Sequence, residues 1–400
     1  MTIRLDDLAF LTSAPGEHLL ARLKAENLGE AHTLALITRL RKDHTAEQAR
    51  AGLEMARLRV KAVEKFGAAA DRMFFTRDAL EQASDPLIRR WRRAANGSGQ
   101  HVFDVCCGIG SDSLAFAESA ASVTGIDLDP VRVEMARLNA AALGKTVQFA
   151  VADAHTVTVP PETTLVFFDP ARRDDDGKRI YDVERYQPPL SLIRTWKAFR
   201  LFAKLSPGVD VDQVRPYGGT LEFISVNGDL KEASLGVLLN APLSPLRVQA
   251  ALITETGALL WSHGDDPAEP RLSAPRAWLI EPDAALIRAG LVADAALRWE
   301  AFQLDETIAY LIADQRPNTP WARAWPILDW MPFNLKHLRD YLRTHRVGTV
   351  TVKKRGTAVT PDTLIPQLKL KGSESRTLVL TRCNGAQIVM VCADTLPRHE

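Results

Sequence analysis

The sequence is poor in cysteine, contains no long apolar run, and carries almost no net charge. Its four cysteines in 400 residues include no CxxC pair, so we expect neither a disulfide framework nor a structural zinc site. No apolar run reaches the about eighteen residues that a membrane span requires, and the acidic N-terminal segment is unlike a secretory signal. We therefore predict a cytoplasmic protein that binds no metal and enters no membrane.

A chain of 400 residues is too long for one ordinary hydrophobic core and predicts two or three domains. Residues 1–95 show helical periodicity without a convincing strand, and we predict an N-terminal helical cap there. An α/β domain is predicted at 96–263, a linker and connecting region at 264–330, and a small basic α/β domain at 331–400.

The net charge of +1 conceals an asymmetry along the chain. Between Phe333 and Arg382 there are eleven Lys and Arg against three Asp and Glu, so this segment carries +8 and the rest of the chain −7. A basic segment on an acidic body favours an anionic partner for that segment. The alternative is that these charges form the solvated face of a small domain.

From His101 onward, short β-rich runs alternate with helical ones, a pattern typical of a parallel sheet covered on both faces. The first strand, "HVFDVCCG", turns into a helix at Gly108 and Gly110, where glycines allow the backbone to approach a ligand. The second strand ends in Asp127, which is placed to accept hydrogen bonds from ribose hydroxyls.

The ligand at this loop is predicted from the ends of the strands. A dinucleotide-binding loop favours a third glycine where this chain has Ser113, which argues against a pyrophosphate. Acids at the ends of four strands suit a cationic ligand that carries a ribose: Asp104, Asp127, Asp153 and Asp169. S-adenosylmethionine has a sulfonium, an ammonium, a ribose and no phosphate, and we expect it as the cofactor.

The motifs "DVCCGIGSDSLAFA", "GIDLDPVRVEMARLNAAALG" and "VADA" are similar to those of the class I S-adenosylmethionine-dependent methyltransferases. The Cys-Gly-x-Gly loop resembles that of trimethylguanosine synthases and related RNA methyltransferases. The whole chain resembles a bacterial group with a THUMP-like C-terminal domain. The resemblance implies an α/β fold with a Rossmann-like seven-stranded sheet, an N-terminal helical domain and a small C-terminal α/β THUMP-like domain.

The same resemblance implies roles for individual residues. The methionine end of the cofactor would face Asp104 and the glycine loop, the ribose Asp127, and the adenine Asp153 with the Ala154 amide. The implied cofactor-binding residues are Asp104, Cys106, Gly108, Gly110, Asp127, Leu128, Asp153 and Ala154. Alternatively, Asp104 stabilises the loop and Asp153 caps the following turn.

The fourth strand runs into Asp169-Pro170-Ala171-Arg172. Enzymes of this fold that methylate amino groups have Asp/Asn-Pro-Pro and an aromatic here, the aromatic stacking on an extruded base. We predict Asp169, Pro170 and Arg172 as catalytic residues, because a guanidinium can also stack on a base or bind a phosphate. The alternative is that Arg172 and Arg173 pair with the acids at 174–176. Attack on a pyrimidine ring is disfavoured because no cysteine lies between Asp169 and the end of this domain.

Weaker candidates complete the sequence-based site. Phe74, Phe75 and Thr76 are predicted as a lid over the cofactor, with burial in the core as the alternative. Substrate or RNA contacts are predicted at Arg173, Lys204, Lys353, Lys354 and Arg355.

These residues predict an enzyme that methylates a nitrogen of an RNA base by in-line transfer. Two alternatives remain open. One is a methyltransferase for small molecules or proteins whose C-terminal domain serves dimerisation. The other is a binding protein that keeps the fold without turnover. The sequence does not determine the oligomeric state.

Overall fold

The computed structural model describes residues 3–96, 99–173, 177–264 and 268–393. The chain divides into two compact units. The first contains residues 1–221, 232–246 and 255–257, and the second contains 222–231, 247–254 and 258–400. The sequence-based domain boundaries are finer than this division and stay predictions. Within the described residues, no helix is long and apolar enough to cross a membrane.

The first unit begins with six helices: α1 (Leu5–Leu11), α2 (Ala14–Leu23), α3 (Thr33–Leu40), α4 (Ala46–Phe66), α5 (Arg77–Gln82) and α6 (Pro86–Asn96). The capping box that begins α4 pairs the Thr45 side chain with the Gln48 backbone, and the Gln48 side chain with the Thr45 backbone. Leu19 of α2 packs against Gly52 of α4 so closely that a Cβ at Gly52 would lie 2.5 Å from the Leu19 Cδ2 atom. The apolar faces of these helices therefore form a compact helical layer.

The first unit also contains a sheet of β1 (His101–Val105), β2 (Ser122–Asp127), β3 (Gln148–Val151), β4 (Leu165–Phe168), β5 (Arg200–Leu205) and the later part of β7 (Asp229–Leu238). Within this unit the order is β3-β2-β1-β4-β5-β7; the first five strands are parallel, and β7 is antiparallel to β5. Helices α7 (Ser111–Phe116), α8 (Pro130–Ala142) and the short α9 (Val211–Val214) belong to the same unit. The order reverses between β1 and β4, and ligands of such sheets bind outside the carboxyl ends of the strands at that point.

Two local predictions differ from the structure in this unit. The sequence pattern of "LSLIRTWKAF" predicts a helix, but the segment forms only a 3₁₀ turn, Leu190–Thr195. Its last hydroxyl, on Thr195, donates to the Leu192 carbonyl instead of leaving that group to continue a helix. The sequence did not predict strand β7, because "DLKEASLGVL" contains a single β-branched residue, Val237.

The second unit contains β6 (Thr220–Val226) from Glu222 onward, together with β8 (Arg247–Thr254), β9 (Gly257–Ser262) and a seven-stranded sheet. That sheet has the order β11-β12-β10-β13-β16-β15-β14. Its strands are β10 (Trp278–Pro282), β11 (Phe302–Asp305), β12 (Ile308–Ala313), β13 (Ala322–Pro332), β14 (Val347–Lys354), β15 (Glu374–Cys383) and β16 (Ala386–Cys392). Helices α10 (Ala284–Arg288), α11 (Val292–Arg298), α12 (Leu335–Thr344) and α13 (Pro361–Leu368) accompany them.

The C-terminal segment follows the predicted order of helix, strand, helix and two strands. Residues 264–330, however, were expected to connect domains and instead contribute four strands to the sheet. The buried residues Leu279, Ile312 and Trp325 of this segment share one apolar core with Val379 and Met390. The segment therefore completes the C-terminal sheet.

Candidate active site

Three predicted acids lie at one edge of the first-unit sheet. Asp104 is on β1, Asp127 ends β2, and Asp169 directly follows β4. Parallel pairing places Asp104 beside Gly125 of β2 and Phe167 of β4, so the carboxyl ends of the three strands are adjacent. The structure thus brings these acids together at the point where the strand order reverses.

The loop after β1 has a backbone that most residues cannot adopt. Cys106, Gly108 and Gly110 all have positive φ angles, of 65°, 55° and 81°. A Cβ at Gly110 would lie 3.0 Å from the ring of Phe149 and 3.2 Å from Ala136, whereas a Cβ at Gly108 would meet nothing within 4 Å. Gly110 is therefore fixed by packing, while Gly108 faces open space where a ligand can approach the backbone.

Asp127 fastens this loop to the second strand. One carboxylate oxygen accepts the Gly108 amide at 2.9 Å, and the other accepts the Asp129 amide at 2.9 Å. Each oxygen retains a lone pair for a ribose hydroxyl. The next residue, Leu128, is 69% exposed, which is unusual for a leucine and offers an apolar surface beside the acid.

Asp104 is a buried carboxyl group with a hydrogen bond at only one of its two oxygen atoms. Its Oδ2 atom accepts the Ser113 hydroxyl, but its Oδ1 atom has no hydrogen-bond partner among the described residues. Burial raises the pKa of Asp104 to about 8. A buried acceptor without a donor is a position where a cationic ligand group would be favourable.

Asp153 lies two residues beyond β3 and is exposed. Its Oδ1 atom accepts the backbone amide of His155 at 2.9 Å and pairs with the His155 ring at 3.0 Å. The backbone hydrogen bond from His155, followed by the one from its ring, lowers the pKa of Asp153. The residue thus caps the following turn, while the neighbouring Ala154 is buried.

Lys204 is placed differently from the substrate contact that we expected. Its side chain is only 3% exposed, and its Nζ donates to Asp169 Oδ2 at 2.8 Å and to the Gln82 carbonyl at 3.0 Å. A buried ammonium cannot reach an RNA phosphate, so this expectation is corrected: Lys204 holds the Asp169 carboxylate. The Asp169 side chain itself is 22% exposed, and its Oδ1 atom has no hydrogen-bond partner within the described part of the chain.

The segment after Asp169 folds back on the neighbouring strand. The guanidinium of Arg172 donates to the Leu205 carbonyl at 2.8 Å, and the Arg172 carbonyl accepts the Ile180 amide at 2.8 Å. Arg173 is exposed and donates to the Gly177 carbonyl at 2.8 Å. The alternative pairing of both arginines with the acids at 174–176 falls outside the described residues.

An unpredicted charge cluster lies beneath the site. Arg92 of α6 is buried and pairs with Asp112 of α7 and Glu232 of β7, with its guanidinium 4.6 Å from the ring centre of Phe167. Asp112 also accepts the Ser84 hydroxyl at 3.0 Å. Burial alone would raise the pKa of Asp112, but Arg92 lowers it below its usual value. The sequence gave no sign of this buried ion-pair role for Arg92, because α6 contains four arginines and any of them could be exposed.

The predicted lid is part of the hydrophobic core. Phe74 is 7% exposed and Phe75 fully buried, both in one apolar cluster with the loop residue Ile109. Thr76 caps α5 by accepting the Ala79 amide at 3.1 Å. The prediction of a lid is therefore corrected to the alternative, because these rings are packed rather than poised over a cleft.

Asn139 of α8 connects this core segment to the cofactor loop. Its side chain accepts the Phe74 amide at 2.7 Å and donates to the carbonyls of Phe74 and Ile109 at 3.1 Å each. Asn139 is fully buried, and sequence reasoning missed it. A polar residue in a helix of otherwise apolar buried positions, "MARLNAAA", was the available signal.

The basic residues predicted on β14 of the second unit are mostly engaged within that unit. Lys353 donates to Glu281 at 2.8 Å and lies 4.4 Å from the ring centre of Trp325. Arg355 is 3.7 Å from the same carboxylate and lies over the ring of Tyr310. Of the predicted segment, Lys354 is the exposed member. Lys353 and Arg355 are thus not free for the phosphate contacts that we expected.

The described residues contain no group of three or more His, Cys, Asp or Glu that could hold a metal ion. Cys106 and Cys107 are the thiols at the site, and burial raises the pKa of both well above the usual value for cysteine. A neutral thiol is a poor nucleophile, so neither is prepared for covalent attack.

Comparison with known families agrees with this geometry. Residues 102–169 match a methyltransferase domain, residues 322–394 a THUMP-like domain, and residues 4–62 a domain of unknown function (DUF8688). The first of these matches spans the strands and the loop described above and ends at Asp169.

Individual relatives extend the likeness to most of the chain. An uncharacterised S-adenosylmethionine-dependent methyltransferase of Mycobacterium tuberculosis (strain H37Rv) is 34% identical over 350 residues, which is 85% of this chain and 95% of the relative. An uncharacterised RNA methyltransferase of Streptococcus pyogenes serotype M3 is 33% identical over 98 residues, 23% of this chain and 22% of the relative.

A solved structure shows the same fold. A candidate methyltransferase of Porphyromonas gingivalis W83 aligns with a TM-score of 0.72 at 19% identity and covers 93% of this chain and 99% of its own. The α/β methyltransferase fold that the sequence predicts is confirmed, with the THUMP-like domain at its C-terminus.

Proposed function

The chain belongs to the S-adenosylmethionine-dependent methyltransferases, and we propose that it transfers the methyl group to a nitrogen atom of an RNA base. The enzyme class and the cofactor follow from the family. The substrate, the methylated atom and the residues that act on them are our proposal. We also propose a cytoplasmic location, since four free cysteines suit a reducing compartment.

The residues at the sheet edge fit S-adenosylmethionine. The unpartnered Asp104 Oδ1 atom would accept the ammonium group, and the open space at Gly108 would admit the methionine moiety. Asp127 would bind the ribose hydroxyls, and the exposed Leu128 would pack against the adenine. Asp153 and the Ala154 amide would complete the adenine site, and Cys106 and Gly110 shape the loop.

The bound cofactor supplies an electrophilic methyl group on a positively charged sulfur. The protein then has to present a nucleophilic nitrogen in line with that group, which is a problem of positioning and exclusion of water. Asp169 Oδ1 would accept a hydrogen bond from an amino group of the substrate, since Oδ2 already accepts one from Lys204. Pro170 adds a carbonyl acceptor beside it. Arg172 is held by Leu205, so we propose that it shapes this loop.

Amino-methylating enzymes of this fold have an aromatic residue shortly after Asp169-Pro170, where this chain has none. An exposed aromatic, Tyr181, follows later in the same segment. Tyr181 is 55% exposed, and a Cβ at Gly208 would lie 3.2 Å from its ring. The adjacent Ile180 is bonded to the Arg172 backbone. The end of β5 therefore contacts Asp169 through Lys204 and Arg172 through Leu205, and the turn that follows β5 contacts Tyr181 through Gly208. We propose that Tyr181 stacks on the substrate base.

The Tyr181 assignment predicts a selective kinetic effect. Tyr181→Ala should raise KM for RNA about tenfold, since one base stacked on an aromatic is worth about 1–3 kcal/mol. Tyr181→Phe, which keeps the ring, should behave as wild type. An unchanged KM in the alanine variant would remove Tyr181 from the substrate site.

RNA as the substrate is supported by the second unit and by partial relatives. The THUMP-like match covers the basic segment, which carries a net charge of +8 between Phe333 and Arg382. Several relatives that match about a fifth of this chain are named RNA methyltransferases. These likenesses favour RNA over a small molecule or protein.

The observation that carries the proposal is the Asp169 carboxylate, fixed by a buried lysine at the sheet edge with one oxygen left for a substrate amine. The test is methyl transfer from labelled S-adenosylmethionine into separated RNA, protein and small-molecule fractions of a strain that lacks the gene. Asp169→Ala serves as the inactive variant, and Asp182→Ala, a 3₁₀-turn cap, as the matched control.

Label in RNA that disappears with Asp169→Ala but persists with Asp182→Ala is the expected result, and nucleoside analysis would then identify the atom. Label only in protein or small molecules would refute RNA as the substrate but would still agree with S-adenosylmethionine as the cofactor. Absence of label in every fraction, together with measured cofactor binding, would favour a binding protein.

A further inference from the structure

A group of exposed cations lies at the amino ends of β14 and β15, at the opposite end of β14 from Lys353, Lys354 and Arg355. Strands β14 and β15 are parallel, with Val347 beside Glu374, so the residues that precede the two strands lie together. These residues include four exposed cations: Arg343, Arg346, Lys369 and Lys371. We call this group the basic edge.

Backbone contact between the two loops brings the basic edge together. The Arg346 carbonyl accepts the Glu374 amide at 3.0 Å. A Cβ at Gly372 would lie 1.9 Å from the Arg346 carbonyl oxygen, and a Cβ at Gly348 would lie 2.0 Å from that of Gly372. Only glycine fits at these two positions, so the chain keeps the loops in direct contact.

Two cations of the basic edge occupy backbone conformations that usually belong to glycine. Arg346 has φ 53° and Lys369 has φ 49°. A non-glycine residue in this region costs on the order of 1 kcal/mol, and such residues are concentrated at functional sites. The chain thus places long basic side chains where glycine or asparagine would be more stable.

The nearby acids do not neutralise the basic edge. Asp340 pairs with Arg343 at 3.5 Å, and Glu374 pairs with Arg376 at 3.5 Å. No ion pair is seen for Arg346, Lys369 or Lys371 among the described residues. Cations at the C-terminal ends of α12 and α13 are also stabilised by the helix dipoles. This effect is confined to the last turn of a helix and does not account for Lys371.

We propose that the basic edge is the surface by which the C-terminal sheet binds the phosphate backbone of the substrate RNA. The proposal rests on the proposed function and specifies the contact for it. Arg346, Lys369 and Lys371 are exposed cations without an ion pair among the described residues, and such cations suit sequence-independent binding to phosphates. Lys353 and Arg355, by contrast, are already bound to Glu281.

The test is the salt dependence of RNA binding by the full-length protein. The probe is a fluorescent, mixed-sequence single-stranded RNA, and the dissociation constant is measured by anisotropy between about 50 and 200 mM salt. The variant combines Arg346→Asn, Lys369→Asn and Lys371→Gln; asparagine tolerates a positive φ and so preserves the loops. The matched control removes the same charge elsewhere in the second unit, with the exposed residues Arg247→Gln, Arg323→Gln and Lys336→Gln.

The slope of log K against log salt should fall by about 2 in the basic-edge variant, since each phosphate contact contributes about 0.7. The slope of the control should be unchanged; the control should unfold at the wild-type temperature, and the basic-edge variant at that temperature or slightly above it, since asparagine relieves the strain of a positive φ. A wild-type slope in the basic-edge variant, or an equal loss in the control, would refute the surface. If methyl label enters RNA all the same, the proposed function survives that refutation; if the wild type binds no RNA, both proposals fail.

Discussion

At the scale of single residues, one buried ammonium group organises the candidate active site. Lys204 joins the Asp169 carboxylate to the carbonyl of Gln82 at the end of α5. The neighbouring carbonyls of Leu80, Glu81 and Ala83 accept hydrogen bonds from Lys65. The end of α5 is thus fixed by two lysines, and one of them also determines which oxygen of Asp169 can face a substrate.

Lys204→Met should lower kcat about 100-fold, since a carboxylate that is misplaced by about 1 Å can cost that much. Cofactor affinity should be unchanged, because Lys204 does not touch the cofactor loop. Steady-state kinetics with titration of S-adenosylhomocysteine checks both parts.

Lys204→Arg is the conservative control and should recover part of kcat, as it keeps a cation beside Asp169. A loss of cofactor affinity in parallel with kcat would show that Lys204 acts on the fold as a whole. An unchanged kcat in Lys204→Met would likewise contradict the positioning role.

The raised pKa of Asp104 leads us to expect that cofactor binding depends on pH. Burial raises its pKa to about 8, so the carboxyl is mostly protonated at neutral pH in the ligand-free protein. Binding of an ammonium group favours the ionised form and releases the proton. The affinity for S-adenosylhomocysteine should therefore rise as the pH rises towards 8 and become constant above it, by at most tenfold per pH unit.

Calorimetry in two buffers of different ionisation enthalpy would measure the released proton. Asp104→Asn should bind weakly and with no pH dependence over this range. The folded-state pKa lies above the unfolded value of about 3.9, so the Asp104 contribution to the free energy of unfolding decreases as the pH rises from about 4 to 8. Equal pH dependence in the asparagine variant would assign the effect to another group.

At the scale of the elements, helix α8 connects the buried Phe74 segment to the cofactor loop. The Asn139 side chain makes three hydrogen bonds, all in the buried interior. Asn139→Leu should lower the free energy of unfolding by about 3 kcal/mol, because it leaves three buried backbone groups without partners. It should also weaken cofactor binding, since the Ile109 carbonyl belongs to the loop.

Denaturant unfolding with and without S-adenosylhomocysteine checks both effects. The control is Gln48→Ala in the α4 capping box, which should cost only about 1 kcal/mol and leave cofactor affinity unchanged. Equal destabilisation by the two variants would contradict the role of Asn139 as a connection between segments.

The sequence predicted the elements that repeat a strong local pattern. The β1 loop, Asp127 and the alternation of strands and helices all follow from short motifs with a physical cause. Strand β7 was missed although Asn227 and Gly228, with φ 50° and 94°, form the turn that signals a hairpin. A polar strand stabilised by its neighbours has no local signature.

Side-chain partnerships were beyond sequence reasoning for a related reason. Lys204 and Lys353 each read as an available cation at the end of a strand, yet they bind carboxylates that are 35 and 72 residues distant. Phe74 and Phe75 were equally readable as lid or core. In each case a long-range contact decides the role, and spacing along the chain contains no information on it.

At the scale of the whole molecule, every residue assigned to the cofactor lies in the first of the two compact units. Binding of S-adenosylhomocysteine should therefore slow hydrogen exchange in that unit, above all at β1, the loop to Gly110 and the end of β2. At a ligand concentration of 100 times Kd the stabilisation is about 2.7 kcal/mol, which corresponds to about a hundredfold slower exchange where exchange requires unfolding. Strands β14 to β16 should show no such change.

Addition of RNA should produce the complementary result, with slower exchange in the segments around Arg346 and Lys371 and no change at Gly108. The two ligands would then report on two separate parts of the chain, as expected for an enzyme whose second unit binds the substrate backbone. Slower exchange of β14 to β16 with S-adenosylhomocysteine alone would contradict this division. It would mean that the cofactor and the THUMP-like module are energetically coupled, since a ligand changes exchange only where it alters the stability of the structure.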